Sequence, residues 1–194
     1  HGGGGNENTM IGGPDSQMKR LAEEHGYIVA SPSGYRPMGG YGKEISETHS
    51  PDLARMTRFS EEDVLNVLEL VRAEYKVDPA RIFLMGHSMG GNGTWQIAAK
   101  HPEIWAGLAP VAAGGTTPTG TVEDEEESGL FRLGRSDTPY PFDAIQHIPV
   151  FVCHGVVDPR APVENARAMV AAMRDRGMIH AYFEKPDGTH AMVQ

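Results

Sequence analysis

The sequence predicts an α/β fold in which a mainly parallel sheet is flanked by helices. Short apolar runs alternate with amphipathic stretches along the chain, and glycines and prolines separate them. A Gly-x-Ser-x-Gly pentapeptide lies directly between one apolar run and one helix-like stretch. Alternation of this kind implies βαβ crossovers and therefore parallel strands. In such sheets ligands bind beyond the carboxyl ends of the strands, where the pentapeptide lies.

The first predicted elements follow an opening run of glycines. A helix is expected from Pro14 to its stop signal at Gly26, and a buried strand over Tyr27–Ala30. Residues 32–59 are rich in proline and glycine, which predicts a long loop. Ser60-Glu61-Glu62-Asp63 then resembles a capping box, so an amphipathic helix is expected to begin there.

The second half of the chain contains the remaining predicted elements. They are strands over Arg81–Met85, Leu108–Ala113, Val150–Cys153 and Ala181–Glu184, and helices over Met89–Lys100 and Pro162–Arg176. Residues 114–147 show no periodicity and include the acidic run Glu123–Glu127. We expect an insertion here, within a single domain over residues 1–194. It is either a lid over the site or a solvated surface excursion.

Composition excludes several classes of partner. The formal net charge is −9 and no cluster of Lys and Arg occurs, which argues against nucleic acid or an anionic membrane surface. No apolar run approaches the ~18 residues of a membrane span. The single cysteine, Cys153, cannot form an internal disulfide. These features leave the cellular location open.

The pentapeptide Gly86–Gly90 is the strongest functional signal. It follows the apolar run Ile82–Met85 directly, as a nucleophile elbow does. Its glycines are needed because the elbow holds its serine in a strained strand-to-helix turn, where neighbouring side chains would collide with adjacent strands. Ser88 is therefore predicted to be a nucleophile rather than a solvated loop serine.

A serine nucleophile needs a base and an acid that orients the base. Asp158 lies in the loop after the strand Val150–Cys153, and His190 lies in the loop after the last predicted strand. We predict that Asp158 orients His190 and that His190 takes the proton of Ser88. Asp187 is the rival acid, but its Pro-Asp-Gly context favours a turn. His87 is expected to pack away from the nucleophile, and His154 to shape the acid loop. The histidines at positions 25, 49, 101, 147 and 180 have no partners at metal-ligand spacing, so no metal and no cofactor are expected.

Two further groups are candidates for substrate contact. The glycines of His1–Gly5 allow backbone amides to approach a substrate oxygen, unless this run is only a flexible terminus or tag remnant. The amide of Met89, which follows the nucleophile, is expected to supply a second oxyanion donor. Tyr35 and Tyr41 lie in the long loop, where they either line a pocket for an aromatic or sugar-linked acyl group or only pack.

Together these motifs resemble the α/β-hydrolase superfamily, and within it the esterases related to feruloyl esterases, polyhydroxybutyrate depolymerases and predicted peptidases. The resemblance extends over most of the chain and rests on His1–Glu7, Val77–Ile82, Gly86–Trp95, His154–Asp158 with Pro162-Val163, and Gly188–His190. It implies a serine esterase with a Ser88, Asp158 and His190 triad and with Gly3 and Met89 as oxyanion donors.

The implied substrate is a carboxylic ester, either a small molecule or one linked to a polymer. Two alternatives stay open. The same triad serves peptidases and thioesterases, and a truncated hydrolase fold serves as a non-catalytic binding module.

The chain departs from the family pattern at three places. The family's glycine loop follows a central strand, between the elbow strand and the strand expected at Tyr27–Ala30, but nothing precedes His1. We therefore expect a fragment of a longer chain, or another segment or partner chain in an oligomer that fills the slot. The final helix after the histidine is absent. The insertion around Glu123–Glu127 is longer than expected, which leaves the substrate open.

Overall fold

A four-stranded parallel sheet forms the centre of the molecule. The computed structural model describes residues 1–12, 16–45, 50–121 and 138–191. Its strands lie in the order Phe83–His87, Gly107–Val111, Val150–Gly155 and His180–Lys185, with every neighbouring pair parallel, which confirms the predicted fold class. In chain order the elements are α1 (Gln17–His25), α2 (Pro51–Glu74), β1 (Phe83–His87), α3 (Met89–Lys100), β2 (Gly107–Val111), the short strands β3 (Thr116–Thr117) and β4 (Gly120–Thr121), β5 (Val150–Gly155), α4 (Val163–Asp175) and β6 (His180–Lys185).

Local sequence signals set most of these boundaries. The hydroxyl of Ser16 accepts a hydrogen bond from the Lys19 amide at the start of α1, and Gly26 ends the helix with φ 66°. The predicted helix start at Pro14 lies outside the described residues. Helix α3 has the predicted bounds, and the four sheet strands begin and end within two residues of the predicted ones. Among the described residues, no helix is long and apolar enough to span a membrane.

Helices α3 and α4 cover one face of the sheet. Trp95 of α3 and Met173 of α4 are almost inaccessible to solvent, and they belong to the same core cluster as Leu108, Val150 and Val152. Successive side chains of a strand point to opposite faces. On the second face, large apolar side chains are exposed: Phe83 by 53%, Met85 by 45%, Phe151 by 46% and Phe183 by 49%.

The sequence prediction for the start of α2 was wrong. The helix begins at Pro51, not at Ser60, because Ser50 and Pro51 supply an N-cap position and a first helical residue. Ser60 is completely buried, and its hydroxyl accepts a hydrogen bond from the Tyr41 amide at 3.3 Å. The apparent capping serine thus packs against the preceding loop instead of beginning the helix.

The predicted buried strand over Tyr27–Ala30 was also wrong. This segment has no strand pairing, and Ile28 is 52% exposed. A strand forms only beside a hydrogen-bonding neighbour, and here an apolar groove of about 1050 Å³ lies between Tyr27–Pro32 and the edge strand β1. The expectation that a further segment or partner chain fills this slot stays a prediction, and the groove is where it would bind.

The predicted insertion over residues 114–147 is partly core. Tyr140, Phe142 and Ile145 are buried, and residues Phe142–Ile145 form a short 3-10 helix. The Tyr140 hydroxyl donates a hydrogen bond to the Trp95 carbonyl at 2.8 Å. The end of the segment is therefore no surface excursion. The acidic run Glu123–Glu127 lies outside the described residues.

Candidate active site

Ser88 lies in a sharp turn between β1 and α3. Its backbone has φ 55° and ψ −115°, a conformation that residues with a side chain rarely adopt. Gly86 and Gly90 make this turn possible, because a Cβ on Gly86 would lie 2.2 Å from the Gly90 carbonyl oxygen. The Ser88 amide donates a hydrogen bond to the Val111 carbonyl at 2.9 Å, which anchors the turn to the end of β2.

The structure brings Ser88, His190 and Asp158 together from the carboxyl ends of three strands. His190 Nε2 lies 2.8 Å from Ser88 Oγ, and His190 Nδ1 lies 2.7 Å from Asp158 Oδ2. Because an ionised carboxylate only accepts hydrogen bonds, Nδ1 carries the proton and Nε2 is free to accept the serine proton. The three residues are thus connected by a continuous chain of hydrogen bonds.

The Asp158 side chain is inaccessible to solvent and is fixed by its own loop. Its Oδ1 accepts hydrogen bonds from the amides of Arg160 at 2.8 Å and Ala161 at 3.0 Å. Burial alone would raise the pKa of this carboxyl. The hydrogen bonds from the Ala161 amide, His190 and the Arg160 amide outweigh burial and hold the pKa of Asp158 below its ordinary value. The carboxylate therefore stays ionised beside the imidazole.

His154 supports the acid loop, the structural role that the sequence analysis expects of it. It is completely buried, and its Nε2 donates a hydrogen bond to the Ala161 carbonyl at 2.9 Å. The same nitrogen lies 3.6 Å from Asp158 Oδ2. Its position at the end of β5, four residues before the acid, was the available signal. Only the fold shows that the loop turns back onto this ring.

The glycine loop lies beside the nucleophile. A Cβ on Gly2 would be 3.5 Å from Ser88 Cβ, and the Gly4 amide donates a hydrogen bond to the Pro37 carbonyl at 2.9 Å. The Gly3 amide has no hydrogen bond to any described residue. Met89 is the first residue of α3, where helical amides have no acceptor within the helix. Among the residues that the structure describes, no acceptor is thus found for either amide, and their role as oxyanion donors stays a prediction.

The two tyrosines of the long loop differ in exposure. Tyr35 is 49% exposed, with φ 64°, and packs edge-on against Phe59. Tyr41 is only 3% exposed, which favours the alternative that it only packs. Its ring packs on Gly34, and its hydroxyl accepts a hydrogen bond from the His1 backbone nitrogen at 3.2 Å. Tyr41 therefore supports the glycine loop from within the core.

The described residues contain no group of three or more His, Cys, Asp or Glu side chains that could hold a metal ion.

Comparison with known proteins assigns the chain to a family. Residues 15–194 match the prolyl oligopeptidase family. The chain is 24% identical over 192 residues to dipeptidyl-peptidase 5 of Porphyromonas gingivalis, a match that covers 90% of this chain and 27% of that protein. It is 33% identical over 112 residues to mouse (Mus musculus) S-formylglutathione hydrolase, with coverage of 50% of this chain and 39% of the relative. The chain thus spans well under half the length of these relatives.

A solved structure supports the fold independently. FphF, a fluorophosphonate-binding serine hydrolase of Staphylococcus aureus, has a TM-score of 0.71 to this chain at 17% identity, and the match covers 99% of this chain and 75% of FphF. At this identity the similarity shows the fold alone, and it confirms the predicted fold class. The chain has the fold of the α/β-hydrolases and belongs to the prolyl oligopeptidase family.

Proposed function

We propose that the chain is the catalytic part of a serine esterase that hydrolyses carboxylic esters through an acyl-enzyme intermediate. The observation that carries the proposal is the hydrogen-bonded chain from Ser88 Oγ through His190 to Asp158, with distances of 2.8 and 2.7 Å. Each of these residues lies at the carboxyl end of a parallel strand, where this type of sheet places reacting groups.

The reaction begins with proton transfer from Ser88 Oγ to His190 Nε2 as the oxygen attacks the ester carbonyl. Asp158 accepts a hydrogen bond from Nδ1 throughout and stabilises the imidazolium. The amides of Gly3 and Met89 donate hydrogen bonds to the oxyanion that forms. His190 then protonates the leaving alcohol, and the acyl group stays on Ser88. Water, deprotonated by His190, releases the acid by the same steps in reverse order.

We propose that Tyr35 lines the acyl side of the pocket. Its exposed ring and its neighbour Arg36 belong to the loop that holds Gly4 through Pro37, so they lie close to the oxyanion loop. An exposed aromatic ring favours an aromatic or sugar-linked acyl group. Replacement of Tyr35 with Ala should raise KM for a hydroxycinnamoyl ester and leave KM for an acetyl ester unchanged. Equal changes in KM for the two esters would mean that Tyr35 does not line the pocket.

The function is tested by hydrolysis of p-nitrophenyl acetate, measured beside Ser88→Ala with folding checked by circular dichroism. We expect activity in the parent chain and its loss in the variant. A folded parent with no activity, and with no labelling of Ser88 by an organophosphonate, would favour a non-catalytic binding module.

A second candidate is a peptidase that uses the same residues. The match of residues 15–194 to the prolyl oligopeptidase family favours it. Matched ester, amide and thioester substrates with one acyl group discriminate between the candidates. An esterase turns over the ester far faster than the amide. Comparable kcat/KM values for the ester and the amide would instead favour the peptidase.

A further inference from the structure

His87, the residue directly before the nucleophile, has a side chain that the proposed mechanism does not use. It lies at the end of β1, is 5% exposed, and belongs to the elbow pentapeptide. Its Nε2 lies 2.6 Å from the main-chain carbonyl oxygen of His190. Since a carbonyl oxygen only accepts, Nε2 is the protonated nitrogen of this ring and donates the hydrogen bond.

The charge state of His87 suits a fixed donor. Burial lowers the pKa of the His87 ring, and the neighbouring imidazoles of His190 and His154 lower it further. The bond to the His190 carbonyl and the charge of Asp158 raise the pKa, but by less than the other causes lower it. A neutral ring has one protonated nitrogen and one bare nitrogen. The proton therefore stays on Nε2, toward His190, and Nδ1 is bare.

The bare side of the ring lies against the glycine loop. A Cβ on Gly2 would be 3.2 Å from His87 Nδ1. On its other side the His87 ring lies 4.9 Å from the His190 ring, centroid to centroid. The ring thus separates the loop that carries the oxyanion donors from the loop that carries the base, and it contacts both.

The base has little other support for its main chain. The loop after β6 is anchored at Gly188, whose carbonyl accepts a hydrogen bond from the Val157 amide at 3.1 Å. Beyond Gly188, no other hydrogen bond holds the main chain of His190 among the described residues. Thr189 and Ala191, on either side of His190, are exposed. Within residues 138–191 and the other described ranges, the remaining hydrogen bonds of His190 are those of its imidazole with Ser88 and Asp158.

We infer that His87 is a positioning residue: it holds the main chain of His190 by a donated hydrogen bond and sets the spacing between the base and the oxyanion loop. The inference rests on the proposed serine-hydrolase site but not on the ester as substrate. Misplacement of a reacting group by about 1 Å can lower a rate by about 100-fold, so a bond of this kind has a measurable effect.

Three variants separate the donated bond from packing. His87→Phe keeps a ring of similar size and removes the donor, and His87→Gln restores an amide donor. The matched control is His180→Phe, because His180 also bonds a main-chain carbonyl, that of Met178 at 2.8 Å, but lies at the amino end of β6, away from the site. Folding of each variant is checked by circular dichroism and by its urea midpoint.

The first readout is the rate constant for labelling of Ser88 by a fluorophosphonate, expressed per folded protein. We expect His87→Phe to slow labelling roughly 10- to 100-fold, His87→Gln to recover most of the rate, and His180→Phe to match the parent. Labelling of His87→Phe at the parental rate would overturn the inference. A loss in His87→Gln as large as in His87→Phe would also overturn it, because the effect would then come from packing.

The second readout needs no turnover. The His190 Nδ1 proton, shared with Asp158, should give a downfield proton NMR signal in the parent and in His87→Gln, and a weakened or exchange-broadened one in His87→Phe. An unchanged signal in His87→Phe would overturn the inference. Failure of ester hydrolysis would count against the proposed function only, since the proton signal and the labelling rate decide the role of His87.

Discussion

The backbone of Ser88 holds strain that the nucleophile elbow requires. At φ 55° and ψ −115° a Cβ is unfavourable, whereas glycine tolerates this region. We therefore predict that Ser88→Gly is about 1 kcal/mol more stable than Ser88→Ala, although glycine ordinarily destabilises a folded chain relative to alanine. Urea unfolding of the two inactive variants measures the difference. If Ser88→Gly were the less stable variant, the elbow would be unstrained.

Asp158 links the site to the acid stability of the fold. Its pKa is held below the ordinary value, so the folded state binds this proton less readily than the unfolded chain does. The stabilisation is present above the unfolded pKa of about 4 and is lost as the pH falls through the lower folded pKa.

We predict that Asp158→Asn lowers the urea midpoint at pH 7 and that the difference from the parent shrinks at pH 3. Asp187→Asn, an exposed carboxylate in the adjacent turn, is the matched control and should leave both midpoints unchanged. An equal loss from Asp158→Asn at both pH values would mean that the ionised form is not what the fold stabilises.

The sequence predicted the positions of the candidate triad better than the contacts that hold it in place. Ser88 directly follows a strand, Asp158 and His190 lie in the loops after two others, and strand ends can be read from local apolar runs. The burial of Tyr41 depends on its contact with Gly34, and the role of His154 depends on the return of its loop to Ala161. Such contacts are set by tertiary packing, which no local pattern contains.

At the scale of elements, the last part of the predicted insertion belongs to the core. Tyr140 packs edge-on against Trp95 with ring centroids 5.5 Å apart and donates a hydrogen bond to the Trp95 carbonyl. We predict that Tyr140→Phe lowers the free energy of unfolding by about 1 kcal/mol, the usual net contribution of one hydrogen bond. Tyr75→Phe, at a half-exposed tyrosine, is the control and should have no effect. Equal stability of both variants would mean that the segment around Tyr140 lies at the surface.

Two elements show why local patterns mispredict. Tyr27–Ala30 has the composition of a buried strand, but a strand also needs a neighbour, and a groove lies beside it. Residues 51–59 follow a stretch rich in proline and glycine, yet they are helical, with Pro51 at the start of the helix and Thr57 buried. The first error arises because no described residue pairs with this segment, and the second because the prolines and glycines of the preceding loop end only at the first residue of the helix.

At the scale of the whole molecule, the two faces of the sheet differ in how much apolar surface they bury. Phe142 is 2% exposed beneath α3, whereas Phe151 is 46% exposed on the opposite face. Full burial of a phenylalanine means that its truncation removes contacts and leaves a cavity, which costs about 3–5 kcal/mol. A half-exposed ring loses less surface burial and leaves no cavity.

We therefore predict a loss of about 3–5 kcal/mol for Phe142→Ala and less than about 2 kcal/mol for Phe151→Ala, measured by urea unfolding at two protein concentrations. The pair is matched because both substitutions remove the same ring. Similar losses for both variants would mean that the open face is covered in solution. If the loss at Phe151 then grew with protein concentration, the cover would be a second copy of the chain, because association stabilises by mass action. A loss independent of concentration would indicate a cover from the same polypeptide.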